Sequence, residues 1–400
     1  MYVGTNVLSG GASFAFDPFE AYASGVVTNP NVLIAGEPGA GKSALVKTFL
    51  ARSVALFGTG TGEAGSRAGR WIACADPKGE YAPLAEVLGL DVVRLSPGGT
   101  ARVNPLDAGP GGAVDPEELA RRRTDSVGAL AATVLRRELT PLEDAAVGWA
   151  VDACTHSRRS TPPTLVDVTT LLRAPTGEMA SRAGTSAEEL ARGAESVALG
   201  LGKLLDRSLR GMFDGPTTIN LDWTGTGLVL DLSAVHHDRD ALGLVLLAAT
   251  AWWQSVLSRP DGPRRIQVLD EAWCLLGSER TSRYLQSCWK LSRAYGVANM
   301  LVVHRLSDLR AQADDGTATA KVSSGLLADT QTRVLLRQSS DQIDDAQHAL
   351  GLTGPEAALL PRLARGRALW KIAGRTAVVQ HVLGTSEHRW CNTDAAMAGA

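Results

Sequence analysis

The residues Gly36-Glu37-Pro38-Gly39-Ala40-Gly41-Lys42-Ser43 hold the clearest chemistry in the sequence. Gly36, Gly41, Lys42 and Ser43 stand at GxxxxGK[ST] spacing, the pattern of a loop that wraps phosphate. Glycine lets the backbone approach an anion closely. The N–H groups at the start of the following helix then face that anion. Glu37, Pro38, Gly39, Ala40 and Ala44 complete the binding loop. Lys42 is placed to reach the β- and γ-phosphates, and Ser43 to ligate Mg²⁺. An apolar run at 31–35 precedes the loop and a helical stretch at 43–52 follows it, which a chance glycine turn would not require.

Binding a phosphate is not yet hydrolysis, which calls for an acidic residue at the end of a second buried strand. The run Arg265-Ile266-Gln267-Val268-Leu269 ends in Asp270-Glu271. Asp270 is expected to hold Mg²⁺ through water, and Glu271 to orient and deprotonate the attacking water. The plainer role for Glu271 is a helix cap. Lys42 and Asp270 lie 228 residues apart, a gap with room for further strands and an inserted unit.

The elements that position these groups follow from periodicity. Residues 70–75 read as a second buried strand and 91–95 as a third, with a helix at 81–88 between them. From 115 to 210 the strand-like runs stop and helical spacing takes over. Helix-start signals recur at Asp115-Pro116-Glu117-Glu118, Thr140-Pro141-Leu142-Glu143 and Thr185 to Glu189. The arginine cluster Arg121 to Arg123 is expected on a solvated helix face. Strands return at 227–232, 266–269, 300–303, 333–337, 368–372 and 376–383, with Gly374-Arg375 as a hairpin turn for the last pair. Continuous apolar strands alternating with helices predict an α/β fold with a mostly parallel sheet covered on both faces. The organisation expected is a core in two parts, 1–114 and 211–388, an all-alpha insertion at 115–210, and a flexible tail at 389–400.

Several short motifs then converge. Asp76-Pro77-Lys78-Gly79-Glu80-Tyr81 ends the second strand, and Arg102-Val103-Asn104-Pro105-Leu106 precedes the helical stretch. Gly211-Met212-Phe213-Asp214-Gly215 follows it, Asp231-Leu232-Ser233 ends the next strand, and Asp270-Glu271-Ala272-Trp273 is the acidic end. Together they resemble the motor ATPases of conjugative type IV secretion systems, in the HerA–FtsK superfamily. The resemblance spans roughly residues 6–385. It implies a RecA-like core, ATP and Mg²⁺ as cofactors, a homo-hexamer with ATP between subunits, and channel proteins as partners, with DNA a further candidate. It also implies an arginine given by a neighbouring subunit to the γ-phosphate. Arg293 matches that place best, and Arg367 in Arg365-Gly366-Arg367 is a second candidate.

Two features depart from the family pattern. Its sensor strand ends in Thr-Gln, whereas 300–303 ends here in His304-Arg305. A neutral imidazole still donates one hydrogen bond, so His304 is expected to sense the γ-phosphate. Family members also carry a sizeable N-terminal docking domain, and about thirty residues precede the loop here. A separate docking protein, a shortened chain and a motor with another job all stay open.

Bulk properties narrow the alternatives. The 400 residues carry a net charge of −2, so nucleic-acid contact would need a local basic patch. Five cysteines without a CxxC pair argue for reduced thiols rather than a disulfide framework. No signal peptide is recognisable, and the apolar run at 241–253 is too short to span a bilayer. The expected location is cytoplasmic, with any place at the inner face of the membrane supplied by a partner. The competing functions are a HerA/FtsK-like DNA translocase and a nucleotide-binding scaffold without turnover.

Overall fold

The computed structural model describes residues 1–59, 69–109, 115–156, 161–206, 209–258, 262–271, 275, 279–304 and 330–391. Arg305, Ala272, Trp273 and residues 392–400 of the expected tail lie outside this set.

In chain order the strands are β1 (Tyr2–Asn6), β2 (Ala12–Ala15), β3 (Val32–Ala35), β4 (Arg70–Asp76), β5 (Asp91–Arg94), β6 (Gly227–Asp231), β7 (Arg264–Leu269), β8 (Val297–Val303), β9 (Thr332–Leu335), β10 (Arg367–Ile372) and β11 (Arg375–His381). They form one sheet in the order β2-β1-β11-β10-β9-β3-β8-β7-β4-β6-β5. From β9 to β5 every neighbouring pair is parallel. The other end, from β9 through β10, β11 and β1 to β2, is antiparallel. The two N-terminal strands give little sequence signal. β2 is an exposed edge strand, and edge strands need no continuous apolar run.

The central strands carry near-continuous apolar runs because each strand serves two cores. Leu33, Ala35, Trp71, Ala73, Ala75, Leu228, Leu230, Leu269, Leu301 and Val303 face one cluster. Val32, Ile34, Ile72, Cys74, Val229, Ile266, Val268, Met300 and Val302 face the other. The second core is covered by helices that include α2 (Lys42–Phe57), through Leu45, Val46, Phe49 and Leu50, and α3 (Ala82–Leu88), through Leu84 and Ala85.

Five helices fill the stretch between β5 and β6: α4 (Pro116–Leu135), α5 (Pro141–His156), α6 (Leu165–Arg173), α7 (Gly177–Ala183) and α8 (Ala187–Leu205). Their starts are those the sequence marks. Asp115 caps α4, Ser186 and Glu189 form a capping box on α8, and Thr140 and Glu143 bond reciprocally at α5. These helices share the first core with α9 (Arg239–Leu257), which packs on α4. By length and composition α9 could cross a membrane, but it is almost entirely buried within the protein. α10 (Glu279–Ser292) also lies on α4. Arg280 sits over Gly128, where a Cβ would fall 2.1 Å from its guanidinium, and pairs with Asp144 on α5.

Three expectations are corrected. The strand at 91–95 is a partly exposed edge, not a buried strand, because among the described residues no strand pairs beyond it. Of the arginine cluster only Arg121 is on a solvated face. Arg122 and Arg123 are buried, since Arg123 donates to the Leu106 carbonyl and Thr155, and Arg122 to Glu118 and Tyr295. The last hairpin turns at Ala373-Gly374, one residue early, because Arg375 already pairs with Ile372. In addition, the segment His388–Cys391 is helical with Trp390 and Cys391 buried, so order continues past the start of the expected tail.

The register of β6 on β4 turns on Gly227, whose φ is 139° and where a Cβ would lie 2.0 Å from the Ile72 carbonyl oxygen. Gly227→Ala should cost at least about 2 kcal/mol, through steric overlap and backbone strain together. The change should appear as a lower urea midpoint. Gly177→Ala, at an open site on the first turn of α7, should stay within about 0.5 kcal/mol of the parent.

Candidate nucleotide site

The parallel register gathers the C-terminal ends of β3, β8, β7 and β4 side by side. Each end carries one group of the site. β3 runs into the glycine loop, β8 ends before His304, β7 before Asp270 and Glu271, and β4 in Asp76.

At β3, Gly41 has φ 107° and caps α2 without a side chain. The N–H groups of the first helical turn are thereby left to a ligand. A Cβ at Gly41 would lie 3.3 Å from the Gly366 nitrogen, and Gly366 N–H donates to the Ala40 carbonyl at 2.9 Å. The loop is also held from β9's side. Glu37 N–H donates to the Arg337 carbonyl at 2.9 Å, and the Arg337 guanidinium bonds the Glu37 carboxylate. Lys42 is buried and donates to the loop's own carbonyls, Gly36 at 2.5 Å and Glu37 at 3.1 Å. Burial lowers its pKa to about 8, with the Asp270 carboxylate acting in the opposite direction.

At β7, Asp270 is 7% exposed and accepts the Glu271 N–H at 2.9 Å. Burial, and then the adjacent Glu271 charge, raise its pKa to about 6. Glu271 has φ 56°, a left-handed conformation that a side chain disfavours. Strain of this kind gathers at working sites. Its Oε1 lies 2.5 Å from His304 Nε2 and 2.6 Å from Lys78 Nζ. Burial pushes the Glu271 carboxyl up, but the bonds from His304 and Lys78 outweigh it and hold the group well below the usual range. A carboxylate as acceptor assigns the proton of His304 to Nε2. His304 Nδ1 is buried and has no hydrogen-bond partner among the described residues.

At β4, Asp76 accepts the N–H groups of Lys78, Glu80 and Tyr81 at 3.3, 3.0 and 2.8 Å. This folds the Asp76 to Tyr81 segment into a rigid turn that aims Lys78 across β7 toward β8. Glu80 acts electrostatically on Lys47 of α2. Lys78, Arg337 and Gly366 have no role that the sequence motifs alone assign. For Lys78 the signal was present: a cation in a strand-end turn of a phosphate site. Arg337 and Gly366 become visible only once β9 and β10 are known to flank the loop.

No family model matches the chain. VirB4 of Thermoanaerobacter pseudethanolicus superposes with a TM-score of 0.74 at 19% identity, over 97% of this chain and 98% of that one. The chain has the VirB4 fold. The plasmid coupling protein TrwB, solved with ADP and Mg²⁺, superposes with a TM-score of 0.56 at 16% identity, over 89% of this chain and 86% of TrwB. In sequence, 168 residues are 22% identical to the type IV secretion system protein CagE of Helicobacter pylori, which is 42% of this chain and 16% of that protein. The matched stretch is a small part of CagE's own length. The expected RecA-like P-loop architecture is thus the observed one.

Within this VirB4-like frame the two candidate arginines differ. Arg293 is exposed in the turn Arg293–Tyr295, before β8. It stands at the end of β8 opposite His304, roughly 20 Å away at ~3.3 Å per strand residue, out of reach of its own loop. Arg367 begins β10, next to Gly366, which touches the chain's own loop, and its Nε donates to Gln380 at 3.2 Å.

α2 is also anchored from below. Thr48 hydroxyl donates to the Ala44 carbonyl at 2.8 Å, so His381 Nε2, 2.8 Å away, must be the donor to Thr48. Burial, and then the Arg52 charge, push the His381 pKa down from 6.5 to about 4. The folded state therefore refuses a proton that the unfolded chain takes up below about pH 6.5. The contribution is complete above that pH and is lost as pH falls toward 4. We expect on the order of 1–3 kcal/mol of stability to disappear across that window. His381→Gln should flatten this part of the stability–pH curve in urea titrations.

Proposed function

We propose that this chain is an ATP-hydrolysing motor serving conjugative or type IV secretion transfer. The observation that carries the reading is the placement of Glu271 and Asp270 at the end of β7, two strands from a complete phosphate loop, on a fold that matches VirB4 along nearly its whole length. The residues present suit a nucleotide and Mg²⁺. Lys42 is buried on loop carbonyls that a phosphate would displace, the first turn of α2 is uncapped, and Asp270 is a buried carboxylate near them. TrwB, of the same fold, has been solved with ADP and Mg²⁺ and with a non-hydrolysable ATP analogue.

In this reading the bound nucleotide supplies the phosphoanhydride to be cleaved, and Mg²⁺ offsets its charge. Gly36 to Ala44 bind the phosphates, with Lys42 turning from the loop carbonyls to phosphate oxygens. Ser43 and Asp270 hold the cation. Glu271 takes the proton of the attacking water, and His304 orients Glu271 through Nε2–H. Arg293, remote from its own loop, serves a neighbouring subunit, so the working form is a ring, with a homo-hexamer as the proposed state. Arg367 is the weaker choice for that role because its own chain's loop lies beside it. Residues 115–210 act as the all-alpha inserted unit of the core formed by 1–114 and 211–388. The chain works in the cytoplasm or at the inner face of the membrane, with channel proteins and possible DNA cargo as partners.

Two measurements test this. In a phosphate-release assay with ATP and Mg²⁺, Lys42→Ala and Glu271→Gln should each lower turnover by at least about 100-fold, the scale of losing a charge-stabilising or acid–base group. Turnover near the parent level in both variants would remove the hydrolytic role. Arg293→Ala should leave nucleotide affinity within about threefold while lowering kcat by about 10³, as for a finger supplied in trans. Equal loss of binding and turnover would instead mark Arg293 as structural.

A further inference from the structure

The Glu271 carboxylate is engaged by two donors. Its Oε1 takes both the Lys78 ammonium, at 2.6 Å, and His304 Nε2, at 2.5 Å. Lys78 Nζ is also 2.9 Å from His304 Nε2. Since the imidazole proton belongs to the carboxylate, the latter contact brings two donors together around one oxygen. A base bound in this way is poorly placed to take a proton from water.

The Lys78 backbone cannot move far, because Asp76 accepts the N–H groups of Lys78, Glu80 and Tyr81. Its side chain is different. It is 29% exposed, and its ammonium rests at the ends of β7 and β8. β8 is the direct neighbour of β3, which carries the phosphate loop. The Lys42 charge already feels that of Lys78. A third phosphate in the loop would be a stronger anion for this ammonium than a single carboxylate.

We propose that Lys78 is a nucleotide-state latch, a positioning residue that holds Glu271 when the γ-phosphate is absent and transfers to that phosphate when ATP binds. The inference rests on the ATPase reading above but is decided by binding alone. Transfer to the γ-phosphate frees Glu271 for water while His304 keeps it oriented. ADP brings no γ-phosphate, so after product release Lys78 returns to the carboxylate.

The test compares affinities of the full chain for a non-hydrolysable ATP analogue and for ADP, both with Mg²⁺, by calorimetry. Lys78→Met should weaken the analogue roughly tenfold or more, the scale of one charge-assisted hydrogen bond, and leave ADP within about twofold. Lys78→Arg should recover most of the difference. Glu271→Gln removes the competing charge, so it should tighten the analogue about threefold in the parent and have no effect in Lys78→Met. Equal changes for the two nucleotides, no change, or a Glu271→Gln effect that persists without Lys78 would overturn the latch. A parent chain that binds neither nucleotide overturns both the latch and the function proposed above. Binding without phosphate release removes only the hydrolytic reading, and the affinity ratio still decides the latch.

Discussion

The parallel register of β3, β8, β7 and β4 is the constraint on which the site depends. Parallel strands need long crossovers, so groups distant in sequence arrive at one edge of the sheet in a fixed order. Lys42, His304, Glu271 and Lys78 become neighbours although they span more than half the chain. The crossovers also supply the helices that bury both faces. That end of the sheet therefore projects from a core packed on two sides, which allows it to hold a strained Glu271 backbone.

The interactions around that edge are mostly electrostatic and mostly buried. Lys42 and Asp270 are both moved toward their neutral forms by desolvation, while Glu271 is kept ionised by two donors. Two adjacent carboxyl groups at one strand end thus differ sharply in character, because burial dominates at Asp270 while His304 and Lys78 bond Glu271 directly. That separation suits a division of labour in which one carboxylate holds a metal ion and the other handles a proton.

Much of the frame was legible in the sequence for definite reasons. The glycine loop, the buried runs at β3, β4, β7 and β8, and the capped helix starts of α4, α5 and α8 are local signals. Backbone propensity and burial act there in the same direction. The failures are non-local. β5 has the composition of an inner strand, but nothing pairs beyond it. Arg122 and Arg123 are charged yet buried, because their partners, Tyr295, Leu106 and Thr155, come from other segments. Lys78 sat within a quoted motif, but only the sheet order reveals that it reaches His304 and Glu271. Residues close in space and remote in sequence leave no periodic trace.

α10 gives the fold a mechanical property. Its 14 residues form a rod about 21 Å long at ~1.5 Å per residue. One end follows closely on Glu271, and the other leads directly into Arg293. Near its start Arg280 is wedged on Gly128 and tied to Asp144, so the rod has a fulcrum on the helical layer. Any tilt of the rod would have to carry α4 with it, because α10 packs on α4 and buries Tyr284, Leu285, Cys288 and Trp289.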